Sequence, residues 1–334
     1  MGDCWPEGRE LLIGNVSRMK RPIRLSPVAH LAPTIGDGEL VAFNVGPDGA
    51  TYLVVALKPL DYRIAQPGWA GFTKTVPETP QQYRVVALSG SQTVLDALIE
   101  GERFNIHDVQ PLPNELLLVC ARSHYKGPDD FEKNGRVYTR EGRYAREILL
   151  GDGIQSVQAT SSGVIWTSYF DEGVFGNYGW QSPVGAAGLV AWDSAGNKLY
   201  EFEPRDGLDS ICDCYALNVE SDEDVWLYYY TDFPLVRLRH RAIASVWTMP
   251  LNGCGAFAVA AEHSLFRGGY RDQDTYHLFS LVPGGKPELL ATLELQDQNG
   301  DKLVADRVVG RGDAIHLVSE GILYRVDVQA ALAG

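Results

Sequence analysis

The residues of this chain that could do chemistry stand singly and far apart, so any site has to be assembled by the fold. His107-Asp108 is the one imidazole–carboxylate pair suited to general-base work, since a nearby carboxylate can fix a histidine tautomer and raise its basicity. Asp213 is the other catalytic candidate. Glu39, Gln155, Asp213 and Asp306 carry oxygen ligands. Brought to one point they could hold a divalent cation such as Ca²⁺, which takes about six to eight oxygens. Cys212-Asp-Cys214 with Cys254 offers three thiols, but structural zinc wants a fourth ligand and usually C-x₂-C spacing. No G-x-S-x-G elbow, H-E-x-x-H pair, Walker loop or G-x-G-x-x-G unit occurs.

A second set of candidates is aromatic. Three segments, 58–82, 123–134 and 170–187, are too long for ordinary turns and too rich in rings for linkers. Trp69, Tyr125, Phe170, Tyr178 and Trp180 lie on them, while Tyr230, Tyr270 and Arg271 lie on shorter segments and Arg307 beside Asp306. These residues are the ligand-binding candidates, with Trp69 and Trp180 foremost because each has a glycine beside it. The plainer expectation is that the rings pack the long segments into a lid.

Both sets depend on an internal repeat. An acidic or amide residue followed by glycine precedes an apolar run at Asp37-Gly38, Glu100-Gly101, Asp152-Gly153, Asp206-Gly207, Asn252-Gly253 and Asn299-Gly300, roughly every fifty residues. A turn then separates two short β-branched or aromatic runs, as in Gly46-Pro-Asp-Gly49, Thr160-Ser-Ser-Gly163 and Glu220-Ser-Asp-Glu-Asp224. Two further strands complete most units. Six units of four antiparallel strands predict an all-β, six-bladed β-propeller spanning residues 1–334 as one domain. The last unit lacks an outer strand, and a strand within residues 9–26, Leu11–Ile13 or Pro22–Leu25, is expected to complete it. The weakest strand is Thr93–Ile99, whose pattern also permits a short helix. In this architecture the three long segments share one face with the starts of the innermost strands. The candidate acids then ring a channel mouth.

On Gly46-Pro-Asp-Gly49 before a strand and Ser162-Gly-Val-Ile-Trp166, the chain resembles the six-bladed propeller superfamily that includes NHL-repeat proteins and gluconolactonase-like enzymes. The resemblance implies a divalent ion held by acids and amides from separate blades. Glu39 would be the first-blade acid, Gln155 the amide, and Asp213 the acid that also serves as base. The resemblance lies at fold level and leaves function open between two readings. One is a non-catalytic binding module that holds a small molecule, peptide or protein on the aromatic loop face. The alternative is a metal-assisted hydrolase or lactonase in the channel mouth.

Composition narrows the partners. A net charge of −14, from 43 acidic and 29 basic residues of 334, repels phosphate backbones, and no Lys/Arg stripe offsets it, so nucleic acid is not an expected partner. No apolar run reaches the roughly 18 residues of a membrane span. Five cysteines, an odd count without a secretory leader, predict reduced thiols and a cytoplasmic protein.

Overall fold

The computed structural model describes residues 20–64, 72–205 and 207–333. They form a six-bladed β-propeller, each blade a twisted antiparallel sheet with its first strand at the axis. The innermost strands are Glu39–Val45, Asp108–Pro111, Ile154–Ala159, Asp213–Val219, Phe257–Ala260 and Arg307–Arg311. Thr93–Ile99 is strand after all, inside Gln92–Glu102, the outermost strand of blade 1.

Alternation along the strands holds the ring together. Successive side chains of a strand point to opposite faces, so each blade feeds two clusters, one shared with each neighbour. In blade 2, Leu116 and Leu118 pack toward blade 1 while Leu117 and Val119 pack toward blade 3. In blade 4, Tyr228 faces blade 5 and Tyr229 faces blade 3, so the Tyr228-Tyr229-Tyr230 run is interior packing and not a stacking platform.

The closing strand differs from expectation. Blade 6 is completed by Ala29–His30, antiparallel to Ile322–Asp327, and not by a strand within 9–26. Arg21–Arg24 lies instead on blade 5 as a fifth strand, parallel to Glu288–Gln296. Leu11–Ile13 lies outside the described residues. The physical reason is burial. Ile23 and Leu25 join the cluster between blades 5 and 6, whereas Ala29 and Leu31 join the cluster between blades 6 and 1. Pro22 lacks an N–H, which an edge strand tolerates, and Pro27 divides the two pairings.

A belt of buried amides ties the blades at the axis. Asn44 donates to Asp108 Oδ1 of blade 2 at 2.6 Å and to the Val157 carbonyl of blade 3 at 2.9 Å. Gln110 donates to the Val45 carbonyl at 3.2 Å and accepts from Ala159 N at 3.0 Å. Gln158 donates to Leu217 O (3.2 Å) and Gly310 O (2.9 Å) and accepts from Val219 N at 2.7 Å. Asn218 donates to Phe257 O and Gly312 O, both at 3.0 Å, and accepts from Gly312 N at 2.8 Å. Arg311 of blade 6 closes the circuit on the Ala159 carbonyl at 2.7 Å. Gly310 is required here, since a Cβ would meet the Phe257 carbonyl oxygen of blade 5 at 1.9 Å.

Gln158 serves three blades, and replacing it strands buried backbone groups at about 1–3 kcal/mol each. Gln158→Leu is therefore expected to lower the unfolding free energy by about 3 kcal/mol or more. Urea denaturation checks this, and a loss below about 1 kcal/mol would remove the belt as a stabilising element.

Candidate functional site at the channel mouth

The amide belt floors the axial channel, leaving a funnel open toward the long loops. The cavity measures about 280 Å³ and is lined by residues of all six blades, among them Asn44, Asp108, Gln158, Tyr215, Gly255 and Arg307. Asn44 and Gln158 form its floor. His107, Gln155, Ser156, Tyr215 and Gly255 stand nearer the mouth, because they sit at or before the beginnings of their innermost strands.

Burial pushes the Asp108 carboxyl up to about 7, against the pull of the Asn44 amide and the Val109 and Val157 N–H groups. Those three donors lie at 2.6, 2.7 and 3.1 Å. His107 is driven the other way, down to about 4, chiefly by burial, and so is neutral near pH 7. Its Nδ1 accepts from Ala121 N at 3.2 Å, and its ring lies 5.1 Å from that of Tyr62. The two neighbours thus spend their polar atoms on different partners and form no hydrogen-bonded dyad.

The four oxygen-bearing candidates are spread around the mouth. Glu39, Gln155 and Asp306 are exposed, and Asp306 accepts from Glu320 N at 3.1 Å. Asp213 is half-buried, its carboxyl raised to about 6 by burial and then by Asp171 on the blade 3 loop. Among the described residues no three His, Cys, Asp or Glu side chains gather as a cation would need. The four described cysteines are free thiols with separate partners: Cys120 meets the Thr75 carbonyl, Cys212 Thr231 Oγ1, Cys214 the Ala216 carbonyl and Cys254 the Ala256 carbonyl.

The three long loops interlock above blades 1 to 3. Arg122 is 8% exposed and pairs with both Asp152 oxygens at 2.9 Å and with Glu172. Its guanidinium lies 4.0 Å from the Tyr178 ring centroid and 5.2 Å from that of Phe170. Tyr178 donates to the Thr73 carbonyl of the blade 1 loop at 2.7 Å. Trp180 is 9% exposed, donates from Nε1 to the Ser123 carbonyl at 2.7 Å, and packs against Tyr125 at 4.8 Å. Thr75 reaches Glu132 Oε1 at 3.1 Å and His124 Nδ1 at 3.2 Å. Tyr125, Phe170, Tyr178 and Trp180 are therefore tied into the lid that joins the loops. Trp69 lies outside the described residues. On the opposite side Tyr230 and Tyr215 pack on Phe233, and Tyr270, 59% exposed, shares a hydroxyl contact with Tyr215. Arg271 is exposed beside Tyr270. Of the ligand-binding candidates among the described residues, Arg307 alone lines the funnel.

Sequence reasoning passed over Ser156, Tyr215 and Gly255, which also line it. Their signal was position alone, near the start of an innermost strand.

The YxzG family model matches residues 185–326, covering Tyr215, Gly255 and Arg307 but neither Asn44 nor Asp108. No curated protein sequence matches the chain. Among solved structures it is similar to Kluyveromyces lactis Hsv2, at 9% identity over 87% of this chain and 75% of that one, with a TM-score of 0.49. It is also similar to the computationally designed Ika8 protein, at 11% identity over 91% of this chain and 99% of that one, with a TM-score of 0.42. No described helix is long and apolar enough to cross a membrane.

The Asp108 carboxyl sets a pH test. An unfolded aspartate titrates near 3.9, so between about 4 and about 7 the folded carboxyl keeps a proton that the unfolded chain has released. The stability this group supplies is complete below that window and is lost as pH rises through about 7. Asp108→Asn has no such proton, so its deficit in Tm relative to the unmodified protein should be larger near pH 5 than near pH 8. Calorimetric melts at the two pH values check the sign, and a deficit that grows toward pH 8 would contradict the assignment.

Proposed function

We propose that the protein is a non-catalytic binding module that takes a small polar molecule into the axial funnel from the loop face. The observation that carries this reading is the closed floor. The belt turns a through-channel into a one-ended cavity of about 280 Å³, at the small end of ligand sites, which run from roughly 300 Å³. Its lining is mostly polar, with Asn44, Asp108, Gln155, Ser156 and Arg307 among the groups that face it, which suits a small polar molecule over an apolar one. Binding is favoured over catalysis because the one imidazole and the one carboxyl on the wall are already engaged. His107 is held by Ala121 N, and Asp108 by three N–H donors. The interlocked loops act as a preformed rim, which lowers the ordering cost of binding.

Gly255 supplies the cleanest test. It lines the funnel, its backbone is not left-handed, and a Cβ built there meets nothing within 4 Å. Gly255→Phe should fold with a melting temperature within about two degrees of the unmodified protein, since surface changes of this kind usually cost under about 0.5 kcal/mol. The added ring should block the cavity. In a ligand-detected NMR screen of small polar molecules, hits on the unmodified protein should vanish for Gly255→Phe. Hits that survive the block would place binding elsewhere and refute the funnel.

A further inference from the structure

The buried and half-buried arginines of this chain divide by what neutralises them. Arg122 has Asp152 and Glu172, and Arg136 has Glu102 and Glu147. Arg311 has no carboxylate in pairing distance, but it lies in the belt and bonds Gln158 and the Ala159 carbonyl. Arg21, on the edge strand of blade 5, donates to the Ala331 carbonyl, and Arg307 is the one on the funnel wall. It is half-buried on the funnel wall and donates to the Leu40 carbonyl at 2.6 Å and the Val41 carbonyl at 3.3 Å. A guanidinium carries five N–H donors in a fixed fork. Two carbonyls leave about three of them without a partner among the described residues. In a chain with 43 acidic and 29 basic residues, a wall arginine without a carboxylate is conspicuous.

We infer that the ligand of the funnel carries an oxyanion, a carboxylate or phosphate group, that docks on the free donors of Arg307. This rests on the funnel reading above and adds the chemical class of its occupant. A planar fork matches two oxygens of such a group, and charge-assisted bonds of this kind are about twice as strong as neutral ones. Burial lowers the pKa of Arg307, meaning that its charge is incompletely solvated where it stands, and an anion would relieve that. The side chains of Gln155 and Ser156 line the same cavity with no hydrogen-bond partner among the described residues, so their amide and hydroxyl are free for the rest of the ligand.

The size follows from the cavity. At about 280 Å³ the cavity suits a short carboxylic acid or inorganic phosphate. Glu39 and Asp306 are exposed at the mouth, and their field works against an anion. Recognition therefore depends on direct contact at Arg307 and not on long-range steering.

The experiment is an NMR titration in chloride buffer with three probes: succinate, inorganic phosphate and the uncharged succinamide. Succinate or phosphate is expected to shift the backbone amides of Ser156, Tyr215 and Val308 along a saturable curve, with succinamide at least tenfold weaker. Arg307→Met should weaken the anion tenfold or more. Because Arg307 also braces two carbonyls, Gln155→Glu is the second variant: its side chain is exposed, so folding is safe, and the new carboxylate should weaken the anion by a similar factor. Succinamide binding as tightly as succinate, or unaltered anion affinity in both variants, would overturn the inference. If succinamide alone shifts the funnel amides and Gly255→Phe abolishes that, the oxyanion fails while the funnel stands. If no probe shifts them, both fail.

Discussion

The constraint on which the rest of the structure depends is that the innermost strands expose backbone N–H and C=O groups at the axis, where few partners exist. Buried backbone groups need partners. The chain supplies them with side-chain amides, Asn44, Gln110, Gln158 and Asn218, each reaching the backbone of at least one other blade. An amide suits this work because it donates and accepts at once. Gln158 uses both ends, accepting from Val219 N while donating to Leu217 and Gly310 on different blades. Hydrophobic clusters between neighbouring blades supply the bulk of the burial, but they tie each blade only to the next. The belt also links blade 1 to blade 3 and blade 3 to blade 6 at the axis.

The same belt makes the two ends of the axis unlike. On the turn side the channel is filled by Arg311 and the amides. On the loop side it stays open and carries Asp108 and Arg307 on its wall. The asymmetry of the loops compounds this. The lid over blades 1 to 3 is fixed by Arg122, whose charge is shared between Asp152 and Glu172 under two aromatic rings. Blades 4 to 6 carry short loops and leave Tyr215 and Gly255 accessible beside the funnel.

Much of the fold was legible because turn chemistry repeats: a glycine after an acid or amide and a polar turn after the first strand mark six units whatever fills them. The ring closure was less so. Pro22–Leu25 reads as a strand, and the strand found is Arg21–Arg24, but parallel pairing with blade 5 leaves no local mark, and the two residues Ala29–His30 are too short for a pattern to show. The site was legible only in part. Position at a strand start picks out His107, Asp108, Gln155 and Arg307, which line the funnel, together with Glu39, Asp213 and Asp306, which are not among its lining residues. Trp180 lies in the lid for a physical reason. Its neighbour Gly179 marks the close approach of the Tyr125 carbonyl, which a Cβ would meet at 2.1 Å, so the loop is pressed inward and the indole is buried. The belt was invisible, since an amide in a strand reads as a solvent-facing residue until the ring brings another blade against it.

Native-state hydrogen exchange followed by NMR tests the central claim most directly. The amides of Val157, Ala159, Val219 and Gly312 donate to belt side chains of other blades. If the belt holds the ring, these four exchange in the slowest class, through global unfolding alone, with protection equal to the unfolding free energy. If they exchange through local opening while the second strands of the blades stay protected, the axis is a loose seam. In that case the funnel would have no fixed floor.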